Sequence, residues 1–184
     1  MLSSQDFRPH FLIAMPQLLD PRFYRSVILM LEHDEKGALG LVVNQATQMK
    51  LKEFTKDQHL PCHESYINDF LFTGGPVQQE RGWVLHSDSS IEEKQAIVEG
   101  LYLSSSAETL SKLLSFERSS FRLLLGYAGW SEGQLVSEMK QGSWLSAPVT
   151  QEHIFSVPPT QLWKTLLKEL KIDPAQLVSA SGVH

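Results

Sequence analysis

The 184-residue chain is short of cysteine, of basic charge and of long apolar runs, and each shortage closes off a class of protein. A single cysteine, Cys62, excludes any disulfide within the chain and fits a reducing compartment. Sixteen Lys and Arg stand against 21 Asp and Glu, for a formal net charge of −5 and a pI near 5.8. The two signs balance over residues 1–60, and the acidic excess lies in 61–184. No broad phosphate-binding surface is visible in those totals, which weighs against direct nucleic-acid binding. No window approaches the roughly 18 apolar residues that a membrane-spanning helix needs. The first apolar stretch, Phe11–Met15, stops at Pro16 and follows no basic segment, so no secretory signal is expected and the cytoplasm is the expected location. Nucleotide-cradling glycine motifs, the H-E-x-x-H zinc helix and the C-x-x-C-H haem site are also missing, so neither cofactor nor metal is expected. No repeat or linker divides the chain, and 1–184 reads as one domain.

What is present is a series of short β-branched or bulky apolar runs. His10–Met15, Ser26–Glu32 and Ala38–Asn44 read as strands, the last two as a hairpin buried on both faces around the Asp34–Gly37 turn. Phe70–Thr73 and Arg81–His86 read as strands flanking Gly74-Gly75-Pro76, and Gly100–Ser104, Phe121–Gly126 and Trp144–Ala147 as further strands. Helices are expected over Gln48–Gln58, from a capping box at Ser105-x-x-Glu108 to about Ser115, over Gln134–Gln141 and over Pro159–Leu170. Strands in runs with irregularly interspersed helices favour α+β over a doubly wound sheet.

Several motifs suggest chemistry, and each has a plainer explanation. Gly129-Trp130-Ser131-Glu132-Gly133 matches G-x-S-x-G, between an apolar strand and a helix as in a nucleophile elbow. Asp173 and His184 follow in triad order, but His184 is the last residue, and His153 would need another acid. The plainer explanation is a strand-to-helix turn in which Ser131 caps the helix and Trp130 packs. His59-x-x-Cys62-His63-Glu64 is dense in ligand types, yet adjacent Cys and His side chains seldom converge on one ion. The segments 159–170 and 175–180 could be written as a helix-turn-helix, but Ala175–Ala180 offers only Gln176 to read a base. His33 and His86 end strands, where a side chain could shuttle protons or simply be hydrogen-bonded. Trp83, Trp144 and Trp163 read as core.

Seven blocks in register carry a family resemblance. They are Phe11–Pro16 with Asp20–Val27, Glu32-His33 with Gly37–Asn44, Gly74–Val77, Arg81–His86 and Gly126–Leu135. Together the chain resembles the AlgH/YqgE family of small bacterial proteins from about Phe11 to Trp163. The resemblance implies an α+β domain whose bifurcated, mostly antiparallel sheet bends into a pseudo-barrel with helices outside. It implies the label of transcriptional regulator too, but neither an established activity nor a recognised DNA-binding module. The family pattern does not hold serine at position 131, which lowers the standing of a hydrolase using Ser131. Its signature polar positions fall here on His33, Asn44, His86, Tyr127 and Gln134, while Val136 stands where the family usually has Glu. The C-terminal Ser181–His184 only approximates the family's ending, so no role is read into His184. The preferred expectation is a non-enzymatic binding or regulatory module that engages a protein or small molecule. Its surface would be built from Gly74, Gly75, Pro76, Gly126, Tyr127, Gly129, Trp130 and Gln134, with Asn44 and His33 or His86 nearby. A small hydrolase and a direct DNA-binding regulator are the alternatives.

Overall fold

A computed structural model describes residues 7–180. Within them the chain forms β1 (Phe11–Ala14), β2 (Val27–Asp34), β3 (Gly37–Val42), β4 (Ala46–Lys50), α1 (Leu51–Asp57), β5 (Phe70–Thr73), β6 (Val77–His86), β7 (Gln95–Val98) and β8 (Leu101–Ser104). It continues with α2 (Ala107–Ser115), β9 (Phe121–Ser131), α3 (Gln134–Lys140), β10 (Trp144–Ala147), α4 (Gln151–Phe155), α5 (Pro159–Glu169) and α6 (Pro174–Ala180). The fold is α+β, built on a ten-stranded sheet in the order β10-β1-β2-β3-β9-β6-β8-β7, with β4 and β5 branching off. All its pairings are antiparallel except β5 on β9. The sheet bends but does not close, because the described path ends on β10 and β7 without pairing them.

The bifurcation lies along one edge of β9. Its opposite edge pairs with β6 from Phe121 to Tyr127. On the forked edge, β5 runs parallel against Leu124 and Leu125, and β3 takes over from Ala128 to Ser131. Gly74 is the wedge between the branches: it accepts from the Val42 N–H at 2.7 Å and donates to the Leu125 carbonyl at 2.7 Å. No side chain fits there. A Cβ on Gly74 would stand 2.2 Å from the Gly126 oxygen, and one on Gly75 (φ +150°) would stand 2.1 Å from the Tyr127 carbonyl carbon.

Gly126, at φ +81°, also reverses the side-chain alternation of β9. Leu124 faces the large core with Phe11, Ile13, Leu29, Leu41, Leu85 and the α5 side chains. Ala128 and Trp130 have the same parity as Leu124, yet face the opposite layer with Leu12, Ile28, Met30, Val42 and Trp144. The large core therefore underlies both branches, while the other side of the sheet is split into that layer and a third packed on α2 through Leu110, Leu113 and Leu114. β1, Val27–Leu31 of β2 and Gly40–Val42 of β3 are buried on both faces, as their apolar runs require. From α5, Leu162, Trp163, Leu166 and Leu167 enter the large core, each burial contributing about 1.5–3 kcal/mol, and the Trp163 indole donates to the Ala14 carbonyl.

The differences from the sequence-based expectations have physical causes. The helix expected over Gln48–Gln58 begins only at Leu51, because Ala46–Lys50 pairs with β5 and becomes β4. α2 is capped by Ser106, which accepts from the Thr109 N–H at 3.1 Å, and not by Ser105. β9 continues past Gly126 to Ser131, since that glycine (φ +81°) turns the strand's faces without ending it, and the extra residues of the irregular pairing lie on β6 between Val77 and Gly82.

Candidate functional site

The turn from β9 into α3 is made by Gly133 in the left-handed region (φ +70°), where no neighbouring atom crowds a Cβ. The first helical residue, Gln134, folds back over the turn. Its Oε1 accepts from the Ser131 N–H at 3.0 Å and from the Ser131 hydroxyl at 3.2 Å, while its Nε2 donates to Glu138 Oε1 at 3.0 Å. One turn further along α3, Glu138 Oε2 accepts from two indoles, Trp130 Nε1 at 2.9 Å and Trp144 Nε1 at 2.8 Å. Three N–H donors thus converge on one carboxylate. Hydrogen bonds to a charged group are worth about 1.5–3 kcal/mol each, so this network fixes the ring orientations.

The facing wall is the segment between β1 and β2. Asp20 caps the 3-10 turn Pro21–Phe23 by accepting from the Arg22 N–H at 3.0 Å. It also receives the Arg22 guanidinium through Nε at 3.0 Å and Nη2 at 2.7 Å, and these bonds hold the Asp20 carboxyl below its usual range. The Phe23 ring meets Trp144 at 5.8 Å and 70°, and Trp144 meets Trp130 at 5.9 Å and 78°. Pro76, Val77 and Gly129 supply the third wall, where the sheet forks. The cleft between these walls measures about 200 Å³. It shares Arg22, Phe23 and Pro76 with an adjoining hollow of about 250 Å³ that reaches Val42, Gln45, Thr73 and Gly75.

Of the residues singled out in the sequence, Gly75, Pro76, Gly129, Trp130 and Gln134 line this double cleft, and Gly74 and Gly126 form the fork beside it. Tyr127 packs against the large core. Asn44 ties strand ends together, its Oδ1 accepting from the Val27 N–H at 2.9 Å and its Nδ2 donating to the Arg25 carbonyl at 3.0 Å. His33 pairs with Ala38 at the far end of β2, two strands from Trp130 on the same face of the sheet. His86 is fully buried on the α2 side of β6, with Nε2 2.9 Å from the Ser104 hydroxyl. Burial pushes its pKa down against the opposing influence of Asp88.

Ser131 is exposed, and its hydroxyl is bonded to an amide, which cannot act as a base. It is not the cap of α3; Gly133 holds that position, and the Gln134 side chain caps the Ser131 N–H in return. His153 is engaged elsewhere, with Nδ1 at the N-cap Thr150 and Nε2 3.0 Å from Glu169 on α5. Cys62 and His63 line a separate hollow of about 410 Å³ with Lys52 and Lys56. Among the described residues no three His, Cys, Asp or Glu side chains are grouped as metal ligands.

Sequence reasoning missed Asp20, Arg22, Phe23 and Glu138, and took Trp144 for core alone. Two signals were available. Asp20-Pro21 is a side-chain cap followed by proline at the first position of a helical turn, and Glu138 lies four residues after Gln134 on one face of α3. Val136 is exposed, and the carboxylate that meets Gln134 on α3 is Glu138. Arg122 was also missed. It is largely buried without a carboxylate partner among the described residues, its guanidinium donating to the carbonyls of Val43 at 2.7 Å and Ile154 at 2.6 Å over the Phe72 ring. Burial lowers its pKa to about 10.

Comparison with known proteins gives a consistent result. Residues 11–175 match the family model described as AlgH-like. A UPF0301 protein of Myxococcus xanthus is 42% identical over 180 residues, covering 98% of this chain and 99% of the relative, and one of Vibrio parahaemolyticus is 37% identical with 94% and 96% covered. The solution structure of AlgH from Pseudomonas aeruginosa superposes with a TM-score of 0.75 at 32% identity, covering 100% of this chain and 99% of that one. A crystal structure of a protein from Corynebacterium diphtheriae shares the fold, with a TM-score of 0.70 at 21% identity and 96% and 92% covered. By its match to the family model over residues 11–175 and its end-to-end similarity to these proteins, the chain belongs to the AlgH-like family.

Proposed function

We propose that this chain is a non-enzymatic recognition module of the cytoplasm, one domain whose contact surface is the cleft between the 3-10 turn, the sheet fork and α3. Any effect on transcription is indirect, through the protein or small molecule held there. The observation that carries this reading is the use made of Glu138. Its carboxylate is spent on orienting two indoles and an amide around a cleft, and among the described residues no nucleophile and base are paired beside it. The Ser131 hydroxyl, the one elbow-like nucleophile, is given to Gln134. The acidic balance and the scarcity of base-reading side chains on α6 support an indirect role.

The test is a screen of soluble metabolites against the uniformly ¹⁵N-labelled full chain. Compounds that bind should move the indole N–H signals of Trp130 and Trp144 together. Binders that move only residues around the Lys52–Cys62 hollow would overturn the choice of site. Ester hydrolysis abolished by Ser131→Ala would overturn the non-enzymatic reading. Duplex DNA binding that weakens steeply with added salt would overturn the indirect one.

A further inference from the structure

We infer that the molecule has a second site, a hollow between the end of β1, the Phe23–Arg25 segment and α5 that takes a small carboxylic acid with an apolar body, its carboxylate on the Arg25 guanidinium. The hollow measures about 260 Å³, with walls formed by Ala14, Met15, Pro16, Leu18, Phe23 and Trp163. Tyr24 and Arg25, both exposed, complete it. It shares Leu18 and Phe23 with the cleft but does not rest on the reading of the cleft as a recognition surface. An apolar cavity of about 150 Å³ holds one benzene molecule, so this hollow has room for an aromatic ring or a medium-length alkyl chain together with a head group.

Among the described residues that line the hollow, Arg25 alone is charged. Its guanidinium carbon lies 5.1 Å from the ring centroid of Trp163 and 5.2 Å from that of Tyr24, and no carboxylate pairs with it among the described residues. Stacking on rings occupies the faces of a guanidinium, whereas its N–H groups lie in the plane and form a fork that fits two carboxylate oxygens. The group is also held in place at a cost. Arg25 has φ +52°, in the left-handed region that a residue with a side chain rarely adopts. Asn44 secures that backbone: its Nδ2 donates to the Arg25 carbonyl at 3.0 Å and its Oδ1 accepts from the Val27 N–H at 2.9 Å. Beside it, Gln45 Nε2 donates to the Ser26 hydroxyl at 2.6 Å. A freely solvated arginine needs no such clamp, and strain of this kind collects where a ligand is held. A phosphate would find one guanidinium and otherwise apolar walls, while a carboxylate asks for no more than the fork.

Octanoate, octan-1-ol and acetate are the probes, titrated into the uniformly ¹⁵N-labelled full chain. The Trp163 indole N–H is the reporter, because it donates to the carbonyl of Ala14 in the wall of the hollow at 2.8 Å. Octanoate should move the Trp163 indole and the Arg25 amide signals and bind about tenfold more tightly than octan-1-ol, which lacks the charge. Acetate, which lacks the apolar body, should bind at least about tenfold more weakly than octanoate. Arg25→Gln should bring octanoate down to the level of octan-1-ol and leave octan-1-ol unchanged. Arg25→Lys keeps the charge without the fork and should recover only part of the difference. The side chain is exposed, and the rest of the spectrum reports that both variants fold. Equal affinity for octanoate and octan-1-ol, or octanoate binding unmoved by Arg25→Gln, overturns the carboxylate assignment. Octanoate that moves Trp130 and Trp144 but not Trp163 overturns the placement, and silence of Trp163 toward both eight-carbon probes overturns the site itself. The reading of the cleft stands or falls separately, on the Trp130 and Trp144 signals.

Discussion

The two branches of the sheet finish their buried polar groups in opposite ways. On the β1–β3 side, Glu138 gathers Trp130, Trp144 and Gln134, so both indole N–H groups are paired. On the β6–β8 side, Trp83 Nε1 and His86 Nδ1 are buried without hydrogen-bond partners among the described residues. A buried group without a partner costs about 1–3 kcal/mol, and a fully paired network returns that cost as fixed geometry. Rigid orientation is what a binding surface needs, and only the first branch has it beside an open cleft. The second branch is held by packing and stays sensitive to proton uptake.

Substitutions at the fork that both branches share should have the largest effect. Gly75→Ala drives a Cβ into the Tyr127 backbone and should cost roughly 3–5 kcal/mol by chemical denaturation, or prevent folding. Gly133→Ala is the control, open around its Cβ, and should cost only about 1 kcal/mol. Glu138→Ala would give the first branch the defect of the second, leaving two indoles unpaired, and should cost about 3 kcal/mol; Glu138→Gln should cost about 1 kcal/mol.

The second branch is tested by pH. The pKa of His86 is lowered in the folded state by burial, so below its ordinary value near 6.5 the unfolded chain binds more protons. Stability should therefore fall as the pH drops from 6.5 toward the folded-state pKa, and His86→Leu should flatten that part of a pH–stability profile. Ser131→Ala should have the smallest effect, under about 0.5 kcal/mol, because the residue is exposed and Gln134 still caps its N–H.

Much of the fold was legible because burial on both faces leaves a plain mark. The runs Val27–Leu31 and Ala38–Val43 could only be interior strands, and the stripe of Leu162, Trp163, Leu166 and Leu167 could only be a helix packed on one side. β4 and β7 were not legible: they are short, half exposed and fixed by the strands beside them. The continuation of β9 was hidden by Gly126, which reads as a strand end but reverses the alternation in the middle of a strand. The cleft was half legible. Its glycine and Trp130-to-Gln134 wall lies in one block of sequence, whereas Asp20, Phe23 and Trp144 reach it from segments that only the sheet order β10-β1-β2-β3-β9 brings together. Histidines at strand ends suggested chemistry, yet His86 is sealed in a layer of the core.

The four tryptophans allow the most direct test. Trp130 and Trp144 donate to Glu138, Trp163 donates to the Ala14 carbonyl, and the Trp83 indole N–H is buried without a hydrogen-bond partner among the described residues. The indole N–H resonances of the full-length protein should therefore be compared before and after Glu138→Gln. The Trp130 and Trp144 signals should shift together and exchange faster with solvent, with Trp83 and Trp163 unmoved. Movement of only one of the pair, or of neither, would contradict a cleft organised by a single carboxylate.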